Sequence, residues 1–233
     1  MENDEIQERF ASLTTAHLAD GCIRAGVPVR TLSIGAVIPA TRVAGRVLPA
    51  RHVGSVDIFL EAFGEASPGD ILVADNGGRL DESCVGDLVT LEAQGAELAG
   101  IVIWGLNRDS VEIREIGLPV FSLGAVPTGP LTMTERPEDA LTTARLGEWT
   151  ATRGDLVAVD ADGLILVAAE RARDVFAHAE TIRDTEQNQA ERMRDGVSLR
   201  DQVHFDDYLA ARESNPALTF REHLVALKAA IEV

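Results

Sequence analysis

The stretch SCVGDLVTLEAQGAELAGIVIWGLNRDSVEI, from Ser83 to Ile113, contains a helical pattern, a short apolar run and a polar segment, in that order. The apolar run, Gly100–Trp104, consists mainly of β-branched residues and predicts a buried strand. The Gly-Asp pair at positions 86 and 87 lies inside or opens the preceding helix, and the chain leaves the strand at Gly105 into Leu-Asn-Arg-Asp. Ligands of α/β proteins usually bind at strand ends, so this stretch predicts a fold class and the position of a site.

Short runs rich in Val and Ile alternate with helical patterns along the chain, which is typical of a mixed α/β domain. The other predicted strands are Ile34–Ile38, Val43–Pro49, Asp70–Ala74, Pro119–Ser122, Leu156–Val159 and Leu164–Val167. The predicted helices are Thr15–Ala25, Val56–Ala66, Asp81–Ala96 and Ala169–Arg194. From residue 197 the pattern changes to helical pieces broken at Asn215-Pro216, because proline disfavours a helical residue before it. We expect an α/β domain over residues 1–196 and a helical extension over residues 197–233, packed on the domain or on a neighbouring subunit.

Composition excludes several classes of function. The 233 residues, 45% of them hydrophobic, suffice for one domain with a full core. A net charge of −17 disfavours nucleic-acid binding, since phosphates repel surplus carboxylates. No apolar run reaches about eighteen residues, and the segment MENDEIQERF is too charged for a signal peptide, so we expect a cytoplasmic protein without a membrane partner. Cys22 and Cys84 form neither a disulfide framework nor a zinc ribbon pattern.

Common catalytic motifs are also absent from the sequence, including the phosphate-binding loop, the dinucleotide fingerprint, G-x-S-x-G and H-E-x-x-H. The five histidines are dispersed, with no pair at metal-ligand spacing, and each is interpreted as structural. The single lysine, Lys228, lies among apolar residues near the end of the sequence, where a pocket that lowers its pKa is not expected. Imine chemistry is therefore disfavoured.

Asp87, Arg108 and Asp109 are the leading site candidates. Twenty residues separate Asp87 from Arg108. Arg108 offers a planar fork that suits a carboxylate, and Asp109 offers a hard oxygen ligand for a divalent cation. Taken alone, the Arg-Asp pair favours the simpler interpretation of a surface ion pair worth under about 1 kcal/mol. The segment Asp75-Asn76-Gly77-Gly78 is likewise either a pocket wall or only a turn.

Five ordered segments resemble the RraA-like family, which includes 4-hydroxy-4-methyl-2-oxoglutarate and 4-carboxy-4-hydroxy-2-oxoadipate aldolases. They are TTAHLADGCIRAG, SPGDILVADNGG, the D-x20-R-D motif that begins at Asp87, PVFSLG and GDLVAVDADGLILV. The resemblance covers about Leu13 to Gly196. It implies a mixed β/β/α sandwich of the swivelling-domain type, here with a C-terminal helical extension.

The resemblance also implies roles for the candidate residues. Asp109 would bind Mg²⁺, Mn²⁺ or another divalent cation, and Arg108 would hold the oxo or carboxylate oxygens of the substrate. Asp87 would hold a catalytic water. Glu112 matches an acidic position found in members with lyase activity.

Backbone groups and a neighbouring subunit complete the implied site. The N–H groups of Leu88 and Val89, at the helix start after Gly86, would receive the substrate carboxylate. Family members form homotrimers or homohexamers with shared sites, and Glu186 is the candidate acidic residue from the neighbouring subunit. The tail stripe Phe220, Leu224, Leu227 and Ile231 predicts either core or subunit contact.

The implied function is that of a class II, metal-dependent pyruvate aldolase or oxaloacetate decarboxylase acting on small 2-oxo acids. The alternative is a non-enzymatic RraA-type regulator that docks on an endoribonuclease. The joint presence of Asp87, Arg108, Asp109 and Glu112 favours the lyase. A third interpretation, a methyltransferase, finds no S-adenosylmethionine-binding pattern in the sequence. One departure is Trp104-Gly105, where family members commonly have Asp-Gly before the Arg-Asp loop, and this departure bears on the identity of the substrate.

Overall fold

The computed structural model describes residues 1–131 and 133–227. The helices in them are Asn3–Phe10 (α1), Thr15–Arg24 (α2), Asp57–Phe63 (α3), Asp87–Gly95 (α4), Ser110–Ile116 (α5), Ala172–Arg194 (α6), Leu199–Gln202 (α7), Phe205–Ser214 (α8) and Phe220–Leu227 (α9). The strands are Arg30–Leu32 (β1), Gly35–Ala36 (β2), Val43–Arg51 (β3), Ile71–Asp75 (β4), Ser83–Val85 (β5), Gly100–Trp104 (β6), Leu106–Asn107 (β7), Val120–Ser122 (β8), Thr143–Leu146 (β9), Trp149–Thr152 (β10), Asp155–Asp160 (β11) and Gly163–Ala168 (β12).

The main sheet has the strand order β1-β12-β11-β3-β4-β6-β8-β2. Pairing is parallel between β3 and β4, between β4 and β6, and between β6 and β8. The other neighbouring strands of this sheet pair antiparallel. Side chains alternate between its two faces, as a strand requires. In β4, for example, Leu72 and Ala74 face one hydrophobic cluster while Ile71 and Val73 face another. The mixed α/β class predicted from the sequence is confirmed.

Three apolar clusters hold these layers together. One face of the sheet curls around the small β9–β10 hairpin. The opposite face is covered in two halves, by α3, α4 and α5 over the parallel strands and by α1, α2 and α6 over the antiparallel ones. This division leaves the carboxyl ends of β3, β4 and β6 beside the α3–α4–α5 layer. Candidate site residues follow these strand ends.

Most predicted elements match the observed ones within a few residues, but the helix Asp81–Ala96 is wrong in its first part. Ser83–Val85 is a strand that pairs in parallel with Leu106–Asn107, and the helix begins only at Asp87. The backbone N–H of Ser83 donates to the Thr128 carbonyl oxygen at 2.8 Å, a contact distant in sequence. Tertiary pairing therefore overrides the local helical pattern.

The C-terminal helices pack largely on one another. The Phe220 ring lies 5.4 Å from that of Phe205 and 5.1 Å from that of Tyr208, and Leu224 is 1% exposed. Of the described members of the tail stripe, Leu224 is therefore buried and Phe220 half-buried within the chain, whereas Leu227 is 39% exposed. Lys228 and Ile231 lie outside the described residues. We propose that residues 197–233 form a unit appended to the 1–196 domain, and this aromatic cluster supports the division.

The long helix α6 packs on α2 through its first half, where Val175, Phe176, Ala179 and Ile182 are buried. Most of its second half is exposed and polar. The apolar side chains of this helix are therefore largely covered within the chain. Within the described residues, no helix combines the length and the apolar character needed to cross a membrane.

Candidate active site

Two short strands bring the separated halves of the D-x20-R-D motif together. Strand β5 leads into α4, and β7 leads into Arg108 and Asp109, so the parallel pairing of β5 with β7 places the two segments side by side. The Arg108 N–H donates to the Val85 carbonyl oxygen at 3.0 Å. The Asp87 N–H in turn donates to Asp109 Oδ2 at 3.4 Å. Asp87 and Asp109, which are distant in sequence, are therefore in contact in the fold.

The Asp109 carboxylate is held on one side and open on the other. Its Oδ2 lies 3.3 Å from Arg108 Nε, while Oδ1 accepts no hydrogen bond from the described residues. Asp109 has a φ of 55°, in the left-handed region that few non-glycine residues adopt. Residues in such conformations cluster at functional sites, where the surrounding structure maintains the strain.

Gly86 allows this close approach. A Cβ atom built on Gly86 would lie 2.3 Å from Asp109 Oδ2 and 3.2 Å from Arg108 Nε, so a larger residue would displace both side chains. Gly129 lies close to the end of the Arg108 side chain, since an added Cβ would lie 2.8 Å from Arg108 Nη1. Gly129 lies outside the resemblance motifs, and the sequence carries no signal for its role.

Helix α4 directs its first N–H groups at this site. The Leu88 N–H donates to Asp87 Oδ1 at 2.7 Å. No acceptor in the described part of the chain takes the Val89 N–H, while the Thr90 N–H returns to the Gly86 carbonyl oxygen at 3.1 Å. A substrate carboxylate bound here would meet a free N–H at Val89 and would compete with Asp87 at Leu88.

Asp87 and Arg108 line a pocket of about 220 Å³. The other lining residues are His52, Val56, Ser83, Cys84, Val85, Gly86, Leu88, Val89 and Pro130. Burial lowers the pKa of His52, which leaves its imidazole neutral at pH 7. Burial also raises the pKa of the Cys84 thiol, which therefore stays protonated and is a poor nucleophile. Among its described lining residues, the Arg108 pocket therefore has one fixed cation and no activated thiol.

The Asp75-Asn76-Gly77 segment lines a neighbouring cleft of about 380 Å³ rather than the Arg108 pocket. His52 lines both spaces, and its Nδ1 lies 2.9 Å from Asn76 Oδ1. Arg51 and Arg145 line the same cleft. The segment contacts the Arg108 pocket only through His52, and its role as a wall of the substrate pocket stays a prediction.

Neither Glu112 nor Glu186 takes part in the described contacts that join Asp87, Arg108 and Asp109. Glu112 is exposed in the first turn of α5 and is not among the residues that line the Arg108 pocket. The Glu186 carboxylate lies 3.0 Å from His17 Nε2, across the α2–α6 contact. The structure thus brings together Gly86, Asp87, Leu88, Val89, Arg108 and Asp109. The roles of Glu112 and Glu186 stay predictions.

The fold is that of an α/β protein with a small pocket near the carboxyl ends of its parallel strands. The family model described as "RraA-like: Aldolase/RraA" matches residues 15–166. The chain therefore belongs to the RraA-like family.

Several relatives carry names that concern an aldol cleavage. A protein of Aromatoleum aromaticum named "Putative 4-hydroxy-4-methyl-2-oxoglutarate aldolase" is 33% identical over 122 residues, covering 52% of this chain and 76% of that protein. A protein of Dechloromonas aromatica with the same name is 29% identical over 126 residues, covering 54% of this chain and 76% of that protein. These names support lyase activity at the level of the family.

Solved structures confirm the fold. A protein from Pseudomonas syringae pv. tomato, described as uncharacterized, superposes with a TM-score of 0.73 at 23% identity, covering 84% of this chain and 96% of that one. Streptomyces coelicolor RraAS2, described as an unusual member of an RNase ES inhibitor family, gives 0.67 at 24% identity, covering 80% and 96%. At these identities the likeness concerns the architecture.

Proposed function

We propose that this protein is a divalent-metal-dependent lyase that acts on small 2-oxo acids through a pyruvate enolate. The reactions are retro-aldol cleavage of 4-hydroxy-2-oxo acids and decarboxylation of oxaloacetate, as in a class II pyruvate aldolase. One observation carries the proposal: Arg108, Asp87 and the start of α4 line one small pocket, and the Asp109 carboxylate lies against them, 3.3 Å from Arg108 Nε and 3.4 Å from the Asp87 nitrogen. The names of the relatives support the reaction class.

The donor set fits a weakly held Mg²⁺. No cluster of three or more His, Cys, Asp or Glu residues suited to a metal occurs among the residues described. Mg²⁺ does not require such a cluster, because it is usually bound through one or two carboxylates and keeps several waters. Among the described residues, Asp109 Oδ1 accepts no hydrogen bond, while Oδ2 accepts from the Asp87 N–H. We propose that Asp109 is the direct protein ligand.

Both proposed reactions break the bond between C3 and C4 and leave its electron pair in pyruvate enolate. A bound divalent cation would supply positive charge where the enolate oxygen becomes negative. The Arg108 guanidinium, 46% exposed at the pocket, would hold the substrate's oxo and carboxylate oxygens in one orientation. The Val89 N–H would bind the carboxylate.

A proton must leave the C4 hydroxyl during aldol cleavage and must reach C3 of the enolate afterwards. Asp87 is the carboxylate that lines the Arg108 pocket among the described residues. We propose that it holds a water through which the proton moves. Its Oδ1 accepts from the Leu88 N–H at 2.7 Å, which fixes the carboxylate at the pocket wall.

The direct test is an assay of pyruvate release from oxaloacetate and from 4-hydroxy-4-methyl-2-oxoglutarate, with added Mg²⁺ and after exhaustive EDTA treatment. We expect release with Mg²⁺ and loss of activity with EDTA, since a single carboxylate holds Mg²⁺ weakly. Full activity after EDTA treatment would contradict the metal assignment. No release from either substrate would favour the regulator of an endoribonuclease.

A further inference from the structure

The cleft of about 380 Å³ beside the Arg108 pocket is lined by two buried polar side chains that lack partners. Asn76 is 4% exposed and His52 is 8% exposed. Within the described part of the chain, neither Asn76 Nδ2 nor His52 Nε2 has a hydrogen-bond partner. Folded proteins rarely leave buried polar groups in this state, because the hydration lost on burial is not recovered. A ligand that supplies the missing partners would therefore gain affinity from both.

The contact between His52 and Asn76 determines which partners are missing. His52 Nδ1 lies 2.9 Å from Asn76 Oδ1, and burial lowers the pKa of His52, so the ring is neutral at pH 7. Because an amide oxygen only accepts, Nδ1 carries the proton, Nε2 presents a lone pair, and Asn76 Nδ2 is left as a donor. Rotation of the amide by 180° would exchange these roles. In either orientation the pair lacks one donor and one acceptor, which a hydroxyl group beside a carboxylate would supply.

Arg145 adds a positive charge at the same cleft. The other arginines of the lining, Arg51 and Arg79, already form ion pairs with carboxylates at 3.1 and 2.8 Å. The acidic lining residues, Asp75 and Glu82, are buried, and their oxygens accept from backbone N–H groups or lie against these arginines. Arg145 is exposed, and its guanidinium donates to a backbone carbonyl oxygen at 3.4 Å but pairs with no carboxylate of the described residues. Its charge is therefore available to an anionic ligand.

The cleft adjoins the pocket in which the proposed chemistry takes place. His52 lines both spaces, and the consecutive residues Glu82 and Ser83 line the cleft and the Arg108 pocket respectively. A ligand held by Arg108 at one end and extending past His52 would therefore enter the cleft.

We infer, on the basis of the proposed function, that this cleft binds the distal half of a 4-hydroxy-2-oxo dicarboxylate, namely its C4 hydroxyl and its C5 carboxylate. The carboxylate would pair with the Arg145 guanidinium and accept from Asn76 Nδ2. Before cleavage, the hydroxyl would donate to His52 Nε2. The divalent cation proposed at Asp109 would stay at the 2-oxo acid end, because Asp109 does not line the cleft.

The test compares 4-hydroxy-2-oxoglutarate with 4-hydroxy-2-oxopentanoate, which has a methyl group in place of the C5 carboxylate. With saturating Mg²⁺, we expect the wild type to favour the dicarboxylate at least about tenfold in kcat/KM for pyruvate release. Arg145→Gln should lower this ratio at least about tenfold, because it removes the charge that pairs with the carboxylate. Arg153→Gln is the matched control, since it removes the same charge from a residue outside this cleft and should change the ratio less than about twofold.

Three results would overturn the inference. A wild type that cleaves both compounds equally well, or an unchanged ratio in Arg145→Gln, would show that the cleft does not bind the C5 carboxylate and would leave the proposed lyase intact. A lower oligomer mass of Arg145→Gln in light scattering would show that Arg145 contacts a neighbouring subunit instead of the substrate. Pyruvate release from neither compound, nor from oxaloacetate, would overturn the proposed function as well.

Discussion

Replacing Gly86 with alanine tests the contact on which the candidate site depends. Gly86 has φ −134° and ψ −160°, an extended conformation that alanine adopts without strain. The effect must therefore come from the added methyl group. Its Cβ would lie 2.3 Å from Asp109 Oδ2, whereas ordinary contacts begin at 3.4 Å, so the carboxylate must move by about 1 Å.

A misplacement of about 1 Å in a catalytic group can cost about a hundredfold in rate. We expect Gly86→Ala to lower kcat/KM for pyruvate release by about that factor, or about 2.7 kcal/mol. The Mg²⁺ concentration needed for half-maximal activity should also rise. Both quantities follow from one titration of the initial rate against Mg²⁺.

Gly95→Ala is the matched control, since Gly95 ends the same helix and an added Cβ there meets nothing within 4 Å. This variant should keep wild-type kinetics, because alanine is also the better helix former. Wild-type kinetics for Gly86→Ala, in a protein that binds Mg²⁺ normally, would refute the geometry. Equal losses in the two variants would show a general effect of disturbing α4.

Three further predictions address other parts of the account. Arg108→Lys keeps the charge but loses the planar fork, so kcat/KM for pyruvate release should fall at least about a hundredfold, or about 3 kcal/mol. A fall of only a few-fold would show that Arg108 is a structural ion pair. Burial lowers the pKa of His52 below its unfolded value of about 6.5, so the native state binds fewer protons and its stability should fall as the pH drops through this range. The unfolding free energy should therefore fall more between pH 7.5 and 5.5 in the wild type than in His52→Gln, and equal pH dependence would exclude this contribution. We also propose that the protein is a homotrimer or homohexamer in which Glu186 contacts the site of a neighbouring subunit. Light scattering should give the mass of that oligomer, and a fully active monomer would contradict the shared site.

The sequence predicted the sheet because its central strands are short β-branched runs with no competing pattern. It placed Gly100–Trp104 at its observed bounds and Val43–Pro49 within the longer Val43–Arg51. The resemblance to the family then named Asp87, Arg108 and Asp109, which the fold brings together. At these positions the structure that the local sequence predicts is also the structure in the complete fold, as expected for a natural sequence.

The remaining features depend on contacts that no local pattern records. The strand Ser83–Val85 pairs with Leu106–Asn107, and this pairing brings Asp87 into contact with Asp109. The sequence left open whether the tail stripe is core or a subunit contact, and only the fold shows that Phe205 and Tyr208 pack on Phe220. The position of Val56 in the Arg108 pocket likewise requires the fold, because nothing near that residue in sequence indicates that it lies beside Arg108.

The most direct measurement of the central claim is the Mg²⁺ dependence of pyruvate release in the wild type and in Asp109→Asn. Asparagine tolerates the left-handed conformation of Asp109, so the loop should keep its shape while the anionic oxygen ligand is lost. We predict that wild-type activity saturates with Mg²⁺ and that Asp109→Asn, folded by circular dichroism, stays inactive at every accessible Mg²⁺ concentration. Near-normal turnover of Asp109→Asn at the same Mg²⁺ concentrations would show that Asp109 is not the metal ligand and that the proposed site is wrong.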